Sequence, residues 1–117
     1  MSIKLGYAAE ALALKYLLNH GLIWICSNYR CRMGEIDLIL QDHDDLVFTE
    51  VKSRSSQAFG GAIASITYYK RQKLLRTAQN YLQVNRIYDT KPVRFDVVNI
   101  DGIPPKITWL KNAFEQY

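Results

Sequence analysis

Histidine and cysteine are scarce in this sequence, two of each, and that scarcity removes whole classes of chemistry. His20 and His43 with Cys26 and Cys31 are too few for a convincing zinc site, and a nuclease that works through histidine loses ground with them. The cysteines stand five apart, which on a strand points them to opposite faces, so free buried thiols are expected rather than a local disulfide. Long apolar runs are missing as well. Gly21 to Tyr29 is far too short to span a bilayer, and Glu10 interrupts the apolar run a signal peptide would need. A cytoplasmic protein that makes no use of a membrane is the expectation. Repeats, low-complexity tracts and linkers are absent too, which at 117 residues leaves a single domain over 1–117. One further absence is local: from Val51 to Tyr88 there is no acid, while Lys52, Arg54, Lys70, Arg71, Lys73, Arg76 and Arg86 are basic. Such a segment is either a solvated face or a surface that tracks phosphates, and the overall formal charge of +4 does not decide between them.

The chain otherwise has the composition of a folded soluble protein, with 49% apolar and 22% charged residues. Lys4 to Asn19 reads as a helix rich in alanine, closed by Gly21. Leu22 to Arg30 is rich in Ile, Trp and Tyr and reads as a strand ending near the turn Met33-Gly34. Glu35 to Gln41 alternates acid and apolar positions, Asp42-His43-Asp44-Asp45 breaks the pattern, and Leu46 to Arg54 alternates again, which predicts a β-hairpin. A Ser- and Gly-containing loop over Ser55 to Gly61 precedes a helix from about Thr67 to Asn85, with Leu74, Leu75, Ala78, Tyr81 and Leu82 at helical spacing. A strand from Val93 to Ile100 and a short one over Lys106 to Leu110 complete the chain. The order is α-β-β-β-α-β with a small addition, an α/β fold whose mixed β-sheet is flanked by helices.

The hairpin concentrates the chemistry. A four-residue loop over Asp42 to Asp45 pairs Gln41 with Leu46, hence Asp37 with Glu50 and Glu35 with Lys52. One face then holds Ile36, Leu38, Leu40, Val47, Thr49 and Val51 as a core face, and the other gathers Glu35, Asp37, Glu50, Lys52 and Arg54. Two carboxylates directly opposite each other repel. A divalent cation such as Mg²⁺ or Mn²⁺ would offset this, because it takes carboxylate and carbonyl oxygens and keeps waters with which to meet a phosphate. Lys52 could then activate water or oppose charge on the phosphate; the bland alternative is that it only neutralises Glu35 and Glu50. Glu10 lies away from the polar stripe of its helix and needs a partner, either the metal site or an arginine such as Arg30.

At these residues the sequence resembles a known family. Gly34-Glu-Ile-Asp-Leu-Ile39, Phe48-Thr-Glu-Val-Lys-Ser-Arg54 and Arg94-Phe-Asp-Val-Val98 look like the YraN-like family of small predicted bacterial endonucleases. Gly6, Glu10, Gly21, Asn28-Tyr29-Arg30, Phe59-Gly60, Lys70, Ala78 and Tyr81-Leu82 fit its pattern too. That family is similar to the PD-(D/E)XK nucleases and to archaeal Holliday-junction resolvases. The resemblance implies a restriction-endonuclease-like core and a metal-dependent endonuclease that hydrolyses phosphodiester bonds, with DNA, including branched DNA, as the implied partner. It implies Asp37 and Glu50 as metal ligands with the carbonyl of Val51, Lys52 as the catalytic lysine, Glu10 as a helix-borne acid, and Lys70 beside the phosphate path. Ile36 stands where the superfamily's name has proline. Arg30, Arg54, Lys70 and Lys73 are the basic residues expected against nucleic acid, and monomer and homodimer stay open. Arg94 and Asp96, on one face of a strand, are read as structural. Trp24, Tyr29, Tyr68 and Tyr69 are read as core aromatics rather than base-stacking residues. The rival functions are a non-catalytic nucleic-acid-binding module, which binds salt-dependently and never cuts, and an interaction protein that does neither.

Overall fold

The structure, a computed structural model, describes residues 3–54, 67–87 and 91–114. Helix α1 (Ile3–Asn19) forms where alanine and leucine dominate, and Ala9, Ala13 and Leu17, four residues apart, become its buried stripe. It stops at Gly21, whose φ of 92° few other residues would adopt. There the Leu22 amide donates to the Leu17 carbonyl at 3.2 Å and the Gly21 amide to Leu18 at 3.0 Å, with Leu22 buried in the same cluster as Leu17. These are the two bonds and the apolar contact of a Schellman cap.

Strands β1 (Ile23–Cys31), β2 (Gly34–Asp42), β3 (Asp45–Arg54), β4 (Val93–Asp101) and β5 (Lys106–Leu110) form one sheet in chain order, and helix α2 (Tyr68–Val84) lies between β3 and β4. Only the β3–β4 pair is parallel, because α2 returns the chain to the same end of the sheet. Thr67 caps α2 by accepting the Lys70 amide at 3.1 Å. No helix among the described residues is long and apolar enough to cross a membrane. The predicted order and the mixed α/β architecture are as found, with β5 as the small addition.

The hairpin differs in two respects. Its turn is shorter than expected: Asp42 pairs with Asp45, leaving His43 and Asp44 as the turn, and the Gln41–Leu46 register is kept because both loops share the same centre. Its two faces are not core and solvent. Leu38, Leu40 and Val51 pack beneath α1, whereas Ile36, Ile39, Leu46 and Phe48 pack beneath α2. The consecutive run Leu38-Ile39-Leu40 is the sequence mark of a strand covered on both sides. Ile36 therefore does not share a face with Leu38. The alternation slips between them, at Asp37, and the flanking pairs Ser27–Leu38 and Tyr29–Ile36 set Asn28 opposite that slip. Asn28 has φ 53°, a left-handed conformation that asparagine tolerates better than most residues. The predicted loop over Ser55 to Gly61, with Phe59-Gly60, lies outside the described residues.

Candidate functional site

The β2–β3 ladder runs from Asp42–Asp45 to Leu38–Thr49 and stops there, while β2 stays paired to β1 as far as Gly34 and β3 to β4 as far as Arg54. The two central strands thus part at Asp37 and Glu50. Into the opening the Asp37 carboxylate accepts the Val51 amide at 2.8 Å, a side chain taking the place of a ladder bond. A cleft of about 220 Å³ results, lined by Ala9, Glu10, Asp37, Glu50, Val51, Lys52 and Ser53. Four of the predicted residues from three elements, Glu10, Asp37, Glu50 and Lys52, line it together with Val51.

Asp37 and Glu50 are in hydrogen-bond contact, and the Asp37 carboxyl is pushed up to about 8. Burial is the main cause, followed by the bond to Glu50 and the charge of Glu50; the Val51 amide works against them. A carboxyl raised this far favours its protonated form at neutral pH. Lys52 Nζ stands 3.9 Å from Glu50 Oε2, with side chains 18% and 14% exposed. Burial, followed by a contact with the Lys70 amine, lowers the Lys52 pKa, and Glu50 opposes the shift. Lys70 enters from the first turn of α2, so it meets the cleft through Lys52.

Glu10 does not pair with Arg30. Its Oε1 accepts the Asn28 side-chain amide at 2.9 Å, and the same amide reaches Glu35 at 3.2 Å. Burial raises the Glu10 pKa, the Asn28 bond lowers it, and the charges of Asp37 and Glu35 raise it further. Asn28 is the site residue that sequence reasoning missed; its signal was a poor strand former in the middle of β1. Arg30 is exposed and pairs with Glu35 at 3.5 Å, outside the cleft lining. Lys52 therefore neutralises Glu50 and not Glu35. Lys73 projects over the β1–β2 turn, its side chain near the place a Gly34 Cβ would occupy. Arg54 closes β3, and its side chain lies outside the described residues.

Among the described residues no three His, Cys, Asp or Glu side chains form a metal-holding group. Two carboxylates and backbone oxygen would leave the remaining positions to water and phosphate, the way Mg²⁺ or Mn²⁺ is held rather than Zn²⁺.

Arg94 and Asp96 are structural, as read. Arg94 grips Asp96 with two bonds of 2.9 Å and reaches Asp42 at 3.0 Å and Asp45 at 3.1 Å, tying β4 to the hairpin turn. The buried Asp96 also accepts Trp109 Nε1 and the Asn112 amide, each at 2.9 Å. The aromatics divide. Tyr29 is partly buried against Tyr81, whereas Trp24, Tyr68 and Tyr69 are 50%, 71% and 70% exposed and are not core. Helix starts and edge strands protrude from the layers they border, so aromatic character there did not imply burial.

Comparison with known proteins gives the same extent. A UPF0102 protein of Legionella pneumophila (strain Philadelphia 1) is 53% identical over 115 residues, 98% of both chains. UPF0102 proteins of Pseudomonas paraeruginosa and Pseudomonas fluorescens are 43% and 44% identical, each over 94% of this chain and 91% and 92% of their own. The profile of the uncharacterised protein family UPF0102 matches residues 9–100, a span that holds every residue lining the cleft. The chain belongs to the UPF0102 family, the YraN-like family its motifs resemble.

Proposed function

We propose that the protein is a divalent-metal-dependent endonuclease that hydrolyses phosphodiester bonds of nucleic acid, with DNA as the substrate the motif resemblance favours. The observation that carries this reading is the Asp37–Glu50 contact beside Lys52 in an open cleft. Evolution rarely holds two acids against each other without a use for the site they make, and structural ion-pair networks are the competing explanation. Here the competing explanation is weakened by position, since the contact lies where the strands part instead of inside a closed core.

Asp37, Glu50 and the Val51 carbonyl would hold the ion, and Mg²⁺ or Mn²⁺ when bound would polarise the phosphate and lower the pKa of its water. Lys52 opposes negative charge gathering on the phosphate, an effect strengthened by its partial burial. Glu10, fixed by Asn28, sets the wall of the cleft on the α1 side. Hydrolysis adds a water oxygen to phosphorus and breaks the bond to one sugar oxygen, which leaves protonated.

The test is a cleavage panel of single-stranded, duplex, flapped and four-way DNA with Mg²⁺ or Mn²⁺ and a chelator control. Asp37→Asn is the informative variant, because asparagine can still accept the Val51 amide while Asp37→Ala would orphan it. Cleavage should fall by at least about a hundredfold in Asp37→Asn, the scale on which removing one electrostatic stabiliser of a transition state acts. Equal rates in both proteins would place the activity elsewhere. A wild type that binds DNA and never cuts returns the binding-module reading.

A further inference from the structure

We infer that Tyr69, in the exposed tyrosine pair that opens α2, is a stacking platform for an unpaired base, so that the cleft takes nucleic acid with a single-stranded segment. The inference rests on the nuclease reading for what happens in the cleft, but its own observations are separate. Tyr68 and Tyr69 leave 71% and 70% of their surface in water, an exposure that contributes little to the fold. Tyr69 is also oriented: Lys73 Nζ lies 5.6 Å from its ring centroid, which commits one ring face to a cation and leaves the other for a ligand.

The position of the pair connects it to the cleft. Lys70, next in sequence, touches Lys52, and Lys52 lines the cleft. A backbone whose phosphates follow Lys73 and Lys70 toward Lys52 carries its bases past the tyrosines. Helix α2 bears Lys70, Arg71, Lys73 and Arg76 and no acid, which suits a polyanion better than an apolar protein surface. Within a duplex each base hides its faces against its neighbours and shows only its groove edges. An open ring face can therefore be used only by a base that has left the stack, and every base has such a face, so no sequence preference is expected.

The experiment uses the full chain, with chelator present, and reads fluorescence anisotropy of a labelled mixed-sequence strand and of the blunt duplex made by annealing its complement. The single strand should bind more tightly. Tyr69→Ala should weaken single-strand binding by about tenfold, because no ring remains for a base to stack on, and should leave duplex binding almost unchanged. Tyr69→Phe should bind as wild type does, because stacking needs the ring and not the hydroxyl. Equal weakening of both forms, an unaffected single strand, or no binding to either form overturns the inference. Because binding is read without metal, the two proposals fail separately. Single-strand binding through Tyr69 with no cleavage under any divalent ion overturns the nuclease and leaves the platform standing. Cleavage that depends on Asp37 with Tyr69 neutral does the reverse.

Discussion

At the scale of the residue, Asp37 carries two duties that pull against each other. Its carboxylate completes the sheet by accepting the Val51 amide, yet it is held against Glu50 and pushed up from 3.8 to about 8. A carboxyl raised on folding binds its proton more tightly in the native state. Its contribution is therefore fully present below the unfolded value and is lost as pH rises toward about 8, the reverse of an acid in a salt bridge. In chelator, the melting temperature of the wild type should fall between pH 5 and pH 8, and Asp37→Asn should flatten that fall. Adding Mg²⁺ at pH 8 should raise the wild-type melting temperature and leave the variant's unchanged, since an ion that binds only the native state stabilises it by mass action. Thermal melts across pH with and without the ion decide this; parallel curves for the two proteins would show that Asp37 is not under electrostatic load.

At the scale of the element, the seat of α2 sets where its lysines and tyrosines stand. Gly34 has φ 154°, and a Cβ there would meet Thr77 Oγ1 at 3.0 Å and the Lys73 side chain at 3.8 Å. Thr77 is fully buried and its hydroxyl donates to the Lys73 carbonyl, so it cannot swing aside without cost. Gly34→Ala should destabilise by about 1–3 kcal/mol in a urea titration, the usual range for a non-glycine residue forced into such backbone, and should shift α2 against the sheet. An unchanged midpoint would mean that the β1–β2 turn yields freely. The element boundaries were largely legible in the sequence, because Gly21, Gly34 and the polar turn after Asp42 are local chemistry. The hairpin register was legible for the same reason as far as Leu38–Thr49. The pairs predicted beyond it, Asp37 with Glu50 and Glu35 with Lys52, are not ladder pairs because the strands part there, and Asp37, Glu50 and Lys52 meet as the lining of the cleft instead. The second covered face of the hairpin was signalled by the run Leu38-Ile39-Leu40, which the alternation alone passed over. Illegible were features set by distant packing: the slip at Asp37 and Asn28 as the partner of Glu10. Each depends on a helix or strand remote in sequence, which periodicity within a single segment does not encode.

At the scale of the whole molecule, charge is sorted along the strands. Arg94 holds Asp96, which stands opposite Thr49, and gathers Asp42 and Asp45 at the hairpin turn. From there to Asp37 is five residues of strand, about 17 Å at the usual rise, more than a Debye length at physiological salt. Asp42 and Asp45 are thus screened from the cleft end, where on the proposed reading Lys52, Lys70 and Lys73 would meet a phosphate backbone. On the proposed reading this separation turns a net charge of +4, too small to attract a polyanion strongly by itself, into a local field at the cleft. Affinity for DNA in chelator should fall steeply as salt rises. Lys70→Ala and Lys73→Ala should each reduce the slope of log affinity against log salt by about one phosphate contact. Arg86→Ala, near the far end of α2, serves as the control and should leave the slope alone. Lys70 and Lys73 are both exposed, so neither substitution removes buried packing, and a changed slope would report one phosphate fewer neutralised and not a damaged fold. If all three variants keep the wild-type slope, the acid-free segment is a solvated face, and the cleft must hold nucleic acid by some other surface.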